Sequence, residues 1–268
     1  MASPVQRNSP DDPEEFRATL GEHLDELRAR IIRTLLIVSA CWVVGWYLQP
    51  PVYDYLNTFA MHNLKSTPGH QVVDAFNSFT GPFMLKMRIS FVIALVLAFP
   101  FIILQLWGFI APGLRPSERK PLKKIAPLTA VLFCLGVIFS WIILPSAFGW
   151  FVSYLGEFNG ASLFQEPGTM VFFILKMFLA FGVGFQLPLI VYFLASTGIV
   201  SPSTLTENWR QATVGIFVVA MIITPSNDIF SMLMMAIPLT LLFFASVAAV
   251  RLTVRKRLRA GGDADDQS

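Results

Sequence analysis

Apolar and polar positions fall in long blocks along this chain. Hydrophobic runs cover residues 31–48, 89–110, 125–144, 170–194, 211–223 and 229–250, separated by polar or Pro- and Gly-containing stretches. About 20 apolar residues make a helix that crosses a hydrocarbon core of about 30 Å. In lipid a spanning segment must satisfy its own backbone, so the blocks predict six transmembrane helices. Ahead of the first block, Phe16, Leu20, Leu24, Leu27 and Ile31 recur every three or four residues. Arg17, Glu22, Asp25, Glu26, Arg28 and Arg30 take the other face. That pattern predicts an amphipathic helix on the membrane surface. Asp12, Pro13, Glu14 and Glu15 suit its N-terminus as cap, first helical residue and dipole-complementing acids.

Prolines punctuate the blocks. Pro50 and Pro51 predict the end of span one, and Pro145 the end of span three. Pro100, Pro188 and Pro238 fall inside spans two, four and six and predict kinks. Span five has only about 13 strongly apolar residues. It reads either as a place where the bilayer thins or as an upright helix beginning at Trp209. The expected fold class is an all-α integral membrane bundle of six transmembrane helices with an N-terminal amphipathic surface helix. Residues 13–257 form one domain, and tails 1–12 and 258–268 are expected to be disordered.

Composition narrows the classes. The chain has 268 residues, 54% of them hydrophobic and 14% charged, where soluble domains average about 25% charged. Mean hydropathy is +0.61. So much apolar surface cannot be hidden under the polar shell that a soluble domain needs. An ordinary soluble enzyme, a nucleic-acid-binding domain and a disordered chain are therefore excluded.

The positions of Lys and Arg orient the bundle, because the richer side faces the cytoplasm. Arg7, Arg17, Arg28, Arg30 and Arg33 precede or open span one. Arg115, Arg119, Lys120, Lys123 and Lys124 fill the loop after span two, Arg210 opens span five, and Arg251, Arg255, Lys256, Arg257 and Arg259 follow span six. The other side has Lys65 in a loop and Lys86 and Arg88 at the entry to span two; residues 146–168 have neither Lys nor Arg. Both termini are thus expected in the cytoplasm.

Chemistry inside the spans is sparse. Cys41 and Cys134 sit in apolar runs, and His23, His62 and His70 have no ligand spacing. There is no P-loop, dinucleotide fingerprint or nucleophile elbow, and no cofactor or metal is expected. Lys176 is ionisable within span four but lies near its outer end, within snorkelling reach. Gln105 and Gln186 are the notable amides. A secondary transporter of a small solute, the alternative reading, usually carries a mid-depth pair of ionisable groups, and none is visible. A purely structural scaffold is a further alternative. The informative charges lie at the cytoplasmic surface, where Glu118 is the only acid in a loop holding five cations. Glu26 has Arg30 four residues on as a partner, and Glu118 has Arg115, Arg119 and Lys120 nearby.

Six segments in order carry a resemblance. They are His-Leu-Asp-Glu-Leu-Arg at 23–28, Phe-Ile-Ala-Pro-Gly-Leu at 109–114 with Glu118-Arg119 after it, and Leu-Pro-Ser-Ala-Phe-Gly at 144–149. Phe-Gly-Val-Gly-Phe-Gln-Leu-Pro at 181–188, Thr-Pro-Ser-Asn-Asp at 224–228 and Ala-Ile-Pro at 236–238 complete the set. Together they resemble the TatC family, the multi-span core subunit of the twin-arginine protein translocase, over about residues 17–257. The resemblance implies a receptor in the cytoplasmic (inner) membrane of a prokaryote. Its partners would be twin-arginine signal peptides of folded cargo, single-span TatA- and TatB-type subunits, other copies of itself and membrane lipid, but no nucleic acid. Transport would be driven by the proton-motive force.

Family positions for the two acids that hold the arginine pair match Glu26 and Glu118. A carboxylate accepts a guanidinium fork through paired hydrogen bonds. His23, Leu24, Arg28, Phe109, Pro112 and Arg119 are expected around them. Short span five, the turn at 224–228 and span six are expected to dock a partner helix through Met221, Thr224, Pro225, Asp228 and Met232, with Gln186 where many relatives carry glutamate. Near Met232 some relatives carry glutamine.

Overall fold

The computed structural model describes residues 20–64, 72–76, 78–111, 116–155, 157, 163–224 and 228–265. Helix α1 is Leu20–Leu64, strand β1 Val72–Asp74, α2 Gly81–Ile110, α3 Pro116–Leu155 and strand β2 Leu163–Gln165. Then follow α4 Thr169–Gly184, α5 Leu187–Ser196, α6 Pro202–Glu207, α7 Trp209–Ile223 and α8 Ile229–Asp265. Among the described residues five stretches are long and apolar enough to cross a membrane: His23–Asn63, Gly81–Ile110, Pro127–Tyr154, Thr169–Ser196 and Ile229–Arg251. Helix α7 is apolar but has 15 residues, about 22 Å at 1.5 Å per residue. It begins at Trp209, as the second reading of span five expects.

Two expected stops are not stops. Helix α1 continues through Pro50 and Pro51 to Leu64, and α3 continues through Pro145 to Leu155. A proline removes one donor and crowds the preceding turn, but packing outweighs that here. Beyond the proline pair, Leu56 and Ala60 are buried, and Phe59 stacks on Trp141 of α3 at 4.3 Å. Around Pro145, Leu144, Ala147 and Phe148 are buried. Pro116 opens α3, where its missing N–H costs nothing, so much of the basic loop after span two is helical. Residues 20–30 are the first turns of α1 itself, unbroken into the span; the expected start at 12–13 lies outside the described residues. Helix α8 runs to Asp265, through Gly261 and Gly262.

Span four does break where its proline predicts. Helix α4 ends at Gly184, Phe185 and Gln186 form a turn, and Pro188 sits in the first turn of α5. Farther on, Ser201 caps α6 by accepting from the Thr204 N–H at 3.1 Å.

Helix α4 lies at the centre of the core. Ile174, Met177 and Phe181 are fully buried, against Ile89 of α2, Leu144 of α3 and Met235 and Leu239 of α8. Gly136 lets α3 approach closely, since a Cβ there would sit 2.6 Å from the Phe181 carbonyl oxygen. Leu35, Leu36, Val43, Ile222 and Leu241 stay exposed, an outer face suited to lipid rather than water. Among the described residues no charged side chain is buried. Strands β1 and β2 pair in parallel, Val72 opposite Leu163, so the segments after α1 and α3 meet at one end of the bundle. The start of α1 meets the end of α2 at the other.

Candidate functional site where α1 begins

His23, Glu26 and Arg30 follow one another at three- and four-residue steps, so they share one face of α1. That face looks at the last turns of α2. The His23 ring stacks on Phe109 with centroids 4.5 Å apart and planes 25° apart. Arg30 donates to Glu26 Oε1 from Nε at 3.1 Å and from Nη2 at 2.9 Å. Its Nη1 donates to Gln105 Oε1 of α2 at 3.3 Å. Side-chain exposure is 22% for Arg30 and 29% for Glu26, so the pair is partly dry. Gly108 makes room: a Cβ there would collide with Arg30 Nη1 and lie 2.7 Å from its Cζ. Among the described residues both Arg30 contacts fall on Glu26 Oε1, and none is made to Oε2. Leu24 and Arg28 are exposed on the rim.

Between Gln105 and Phe109 along α2, Trp107 is buried and donates through Nε1 to Thr129 Oγ1 of α3 at 3.2 Å. Its ring meets Phe193 of α5 edge-on at 5.0 Å. Gln186, 5% exposed, donates to the Thr129 carbonyl at 3.3 Å and the Gly182 carbonyl at 3.2 Å. Its Oε1 is buried and has no hydrogen-bond partner among the described residues. These contacts tie α2, α3, α4 and α5 behind the site.

A second feature lies between α7 and α8. Thr213, Val214, Phe217, Val218, Met221 and Met232 line an open groove of about 420 Å³. Thr224 is buried, donates to the Ala220 carbonyl and reaches Met235 Sδ at 3.6 Å. Asp228 Oδ1 accepts from the Ser231 N–H at 2.7 Å at the start of α8. Lys176 rests its ammonium 4.3 Å from the Phe172 ring centroid, a cation–π contact. Among the described residues no His, Cys, Asp or Glu cluster is arranged to hold a metal ion.

The model of the family described as Sec-independent protein translocase protein (TatC) matches residues 22–238. A Koribacter versatilis protein named Sec-independent protein translocase protein TatC is 33% identical over 91% of this chain and 89% of its own. The Escherichia coli K12 protein of that name is 30% identical over 87% and 88%. A crystal structure described as twin arginine translocase receptor TatC superposes with a TM-score of 0.69. It is 29% identical and covers 87% of this chain and all of that one.

The chain belongs to the TatC family. It is accordingly a membrane component of protein translocation. Of the residues expected at the TatC peptide site, the structure brings His23, Glu26 and Phe109 together and leaves Leu24 and Arg28 exposed beside them. The backbones of Glu118 and Arg119 lie in the first turn of α3; their side chains, and all of Pro112, lie outside the described residues. Gln105 and Gly108 were missed as site residues. The available signal was their spacing from Phe109, which puts Gln105 one turn back on the same face. Of the expected docking residues, Met221 and Met232 share the α7–α8 groove. Thr224 closes α7 and Asp228 caps the start of α8, Pro225 lies outside the described residues, and Gln186 bonds to α3 and α4 rather than lining the groove.

Proposed function

We propose that this TatC-family chain is the signal-peptide receptor and assembly core of a twin-arginine translocase. It would export folded proteins across the cytoplasmic membrane of a prokaryote at the expense of the proton-motive force, and it would not be an enzyme. The observation that carries the reading is Glu26, a partly buried carboxylate at the polar rim of an apolar bundle, whose partner Arg30 reaches Gln105 of α2. A guanidinium bound there gains more than in open water, because the rim is partly desolvated and the hydrogen bonds are charge-assisted. Two adjacent arginines need two acceptors, and Glu118 at the start of α3 is the second. The relative described as a twin arginine translocase receptor supports the same role.

In this reading α7 is the fifth of six spans, α8 is the sixth, and both termini are cytoplasmic. Pairing of β1 with β2 puts the two Lys- and Arg-poor segments at one end, in keeping with an outer face. The α7–α8 groove accepts a single-span helix of the TatA or TatB type, alongside other copies of the chain and lipid. A photo-crosslinker at Leu24 on the purified protein should capture an Arg-Arg signal peptide in preference to a Lys-Lys control. Equal capture of both, or of neither, would end the receptor reading.

A further inference from the structure

We infer that Arg30 is a built-in guanidinium competitor that sets the affinity threshold of the Glu26 site. The inference rests on the receptor reading above. Arg30 already places two N–H groups on Glu26 Oε1, at 3.1 and 2.9 Å. The acceptor meant for an incoming arginine is therefore engaged by an arginine of its own chain. A ligand must displace that fork or make do with the remaining oxygen.

Displacement is easy to accommodate. Arg30 Nη1 already reaches Gln105 Oε1 at 3.3 Å, so a guanidinium released from Glu26 keeps an acceptor and is not left as an orphan cation. The three residues thus offer Arg30 two resting places, one of which frees the whole carboxylate. Because the competing fork is tethered four residues away on the same helix, it is always present at high effective concentration. It lowers the affinity of every cationic ligand by a common factor. A guanidinium pair, which binds a carboxylate strongly through its fixed fork, stays above the threshold; an ammonium pair, a point charge without that geometry, falls below it.

Gly108 supplies an independent handle. Any side chain there strikes Arg30 Nη1. The atom struck is the far end of a flexible side chain, so the guanidinium moves rather than the helices. Gly108→Ala evicts Arg30 from its seat with no change in charge, whereas Arg30→Gln removes the competitor and the charge together.

The test uses the purified full chain in detergent micelles and fluorescent synthetic peptides with Arg-Arg or Lys-Lys before an apolar stretch. Arg30→Gln and Gly108→Ala should each tighten both peptides by a similar factor, roughly two- to tenfold, the range of a partly buried ion pair. Adding Glu26→Ala should abolish the gain. Weaker or unchanged binding in both variants overturns the competitor role. Tightening in Arg30→Gln alone also overturns it, since that would be lost repulsion. If Glu26→Ala by itself binds like the parent, the receptor reading has failed and this inference falls with it.

Discussion

His23 of α1 lies flat against Phe109 of α2 at 4.5 Å, and this stack pins the beginning of the first helix to the end of the second. Aromatic pairs of this kind contribute about 0.5–1.5 kcal/mol beyond their burial. Phe109→Ala should free the first turns of α1 and loosen the seat of Glu26. Arg-Arg peptide binding should weaken by roughly two- to tenfold, while the rest of the bundle, held by the α4 core, keeps its melting temperature within a few degrees. Unchanged peptide affinity would show that the stack does not shape the site.

Glu26→Ala and Glu118→Ala each remove one proposed acceptor. Loss of a charge-assisted bond should cost about 1.5–3 kcal/mol of peptide binding, or roughly ten- to a hundredfold in Kd. The same changes should matter little for a Lys-Lys peptide. A double-mutant cycle between each acid and each arginine of the peptide measures the coupling. Coupling energies near zero for both acids would move the receptor site elsewhere.

The proposed topology places Ser117 inside and Ser153 outside. In a chain with Cys41 and Cys134 replaced by serine, single cysteines at these positions should react from opposite faces of intact cells with an impermeant thiol reagent. Labelling of both from one face would defeat the six-span arrangement.

The α7–α8 groove is apolar, open and flanked by a helix too short to span a bilayer of average thickness, features that favour a docked helix over bulk lipid. Photo-crosslinkers at Met221 and Met232 should trap a single-span subunit of the TatA or TatB type. Capture of lipid alone at both positions would argue that the groove has no protein partner.

Much of this was legible in one dimension. Apolar blocks of spanning length mark the membrane helices, because hydrocarbon leaves a chain few other ways to satisfy its backbone. The four-residue step from Glu26 to Arg30 announced their pairing, because it follows from short-range spacing on one helix. Other features belong to tertiary structure. Pro50, Pro51 and Pro145 look like stops, yet α1 and α3 pass through them, since buried Leu56, Ala60, Leu144 and Phe148 outweigh the local penalty. Gln105 lies 75 residues from Arg30, and no local pattern tells which amide will meet which cation. Gly108 reads as an unremarkable glycine until the guanidinium of α1 fills the space above it. Spacing along a helix is a property of the chain, whereas contacts across helices depend on how the apolar faces pack, and packing decides where the charges at their ends meet.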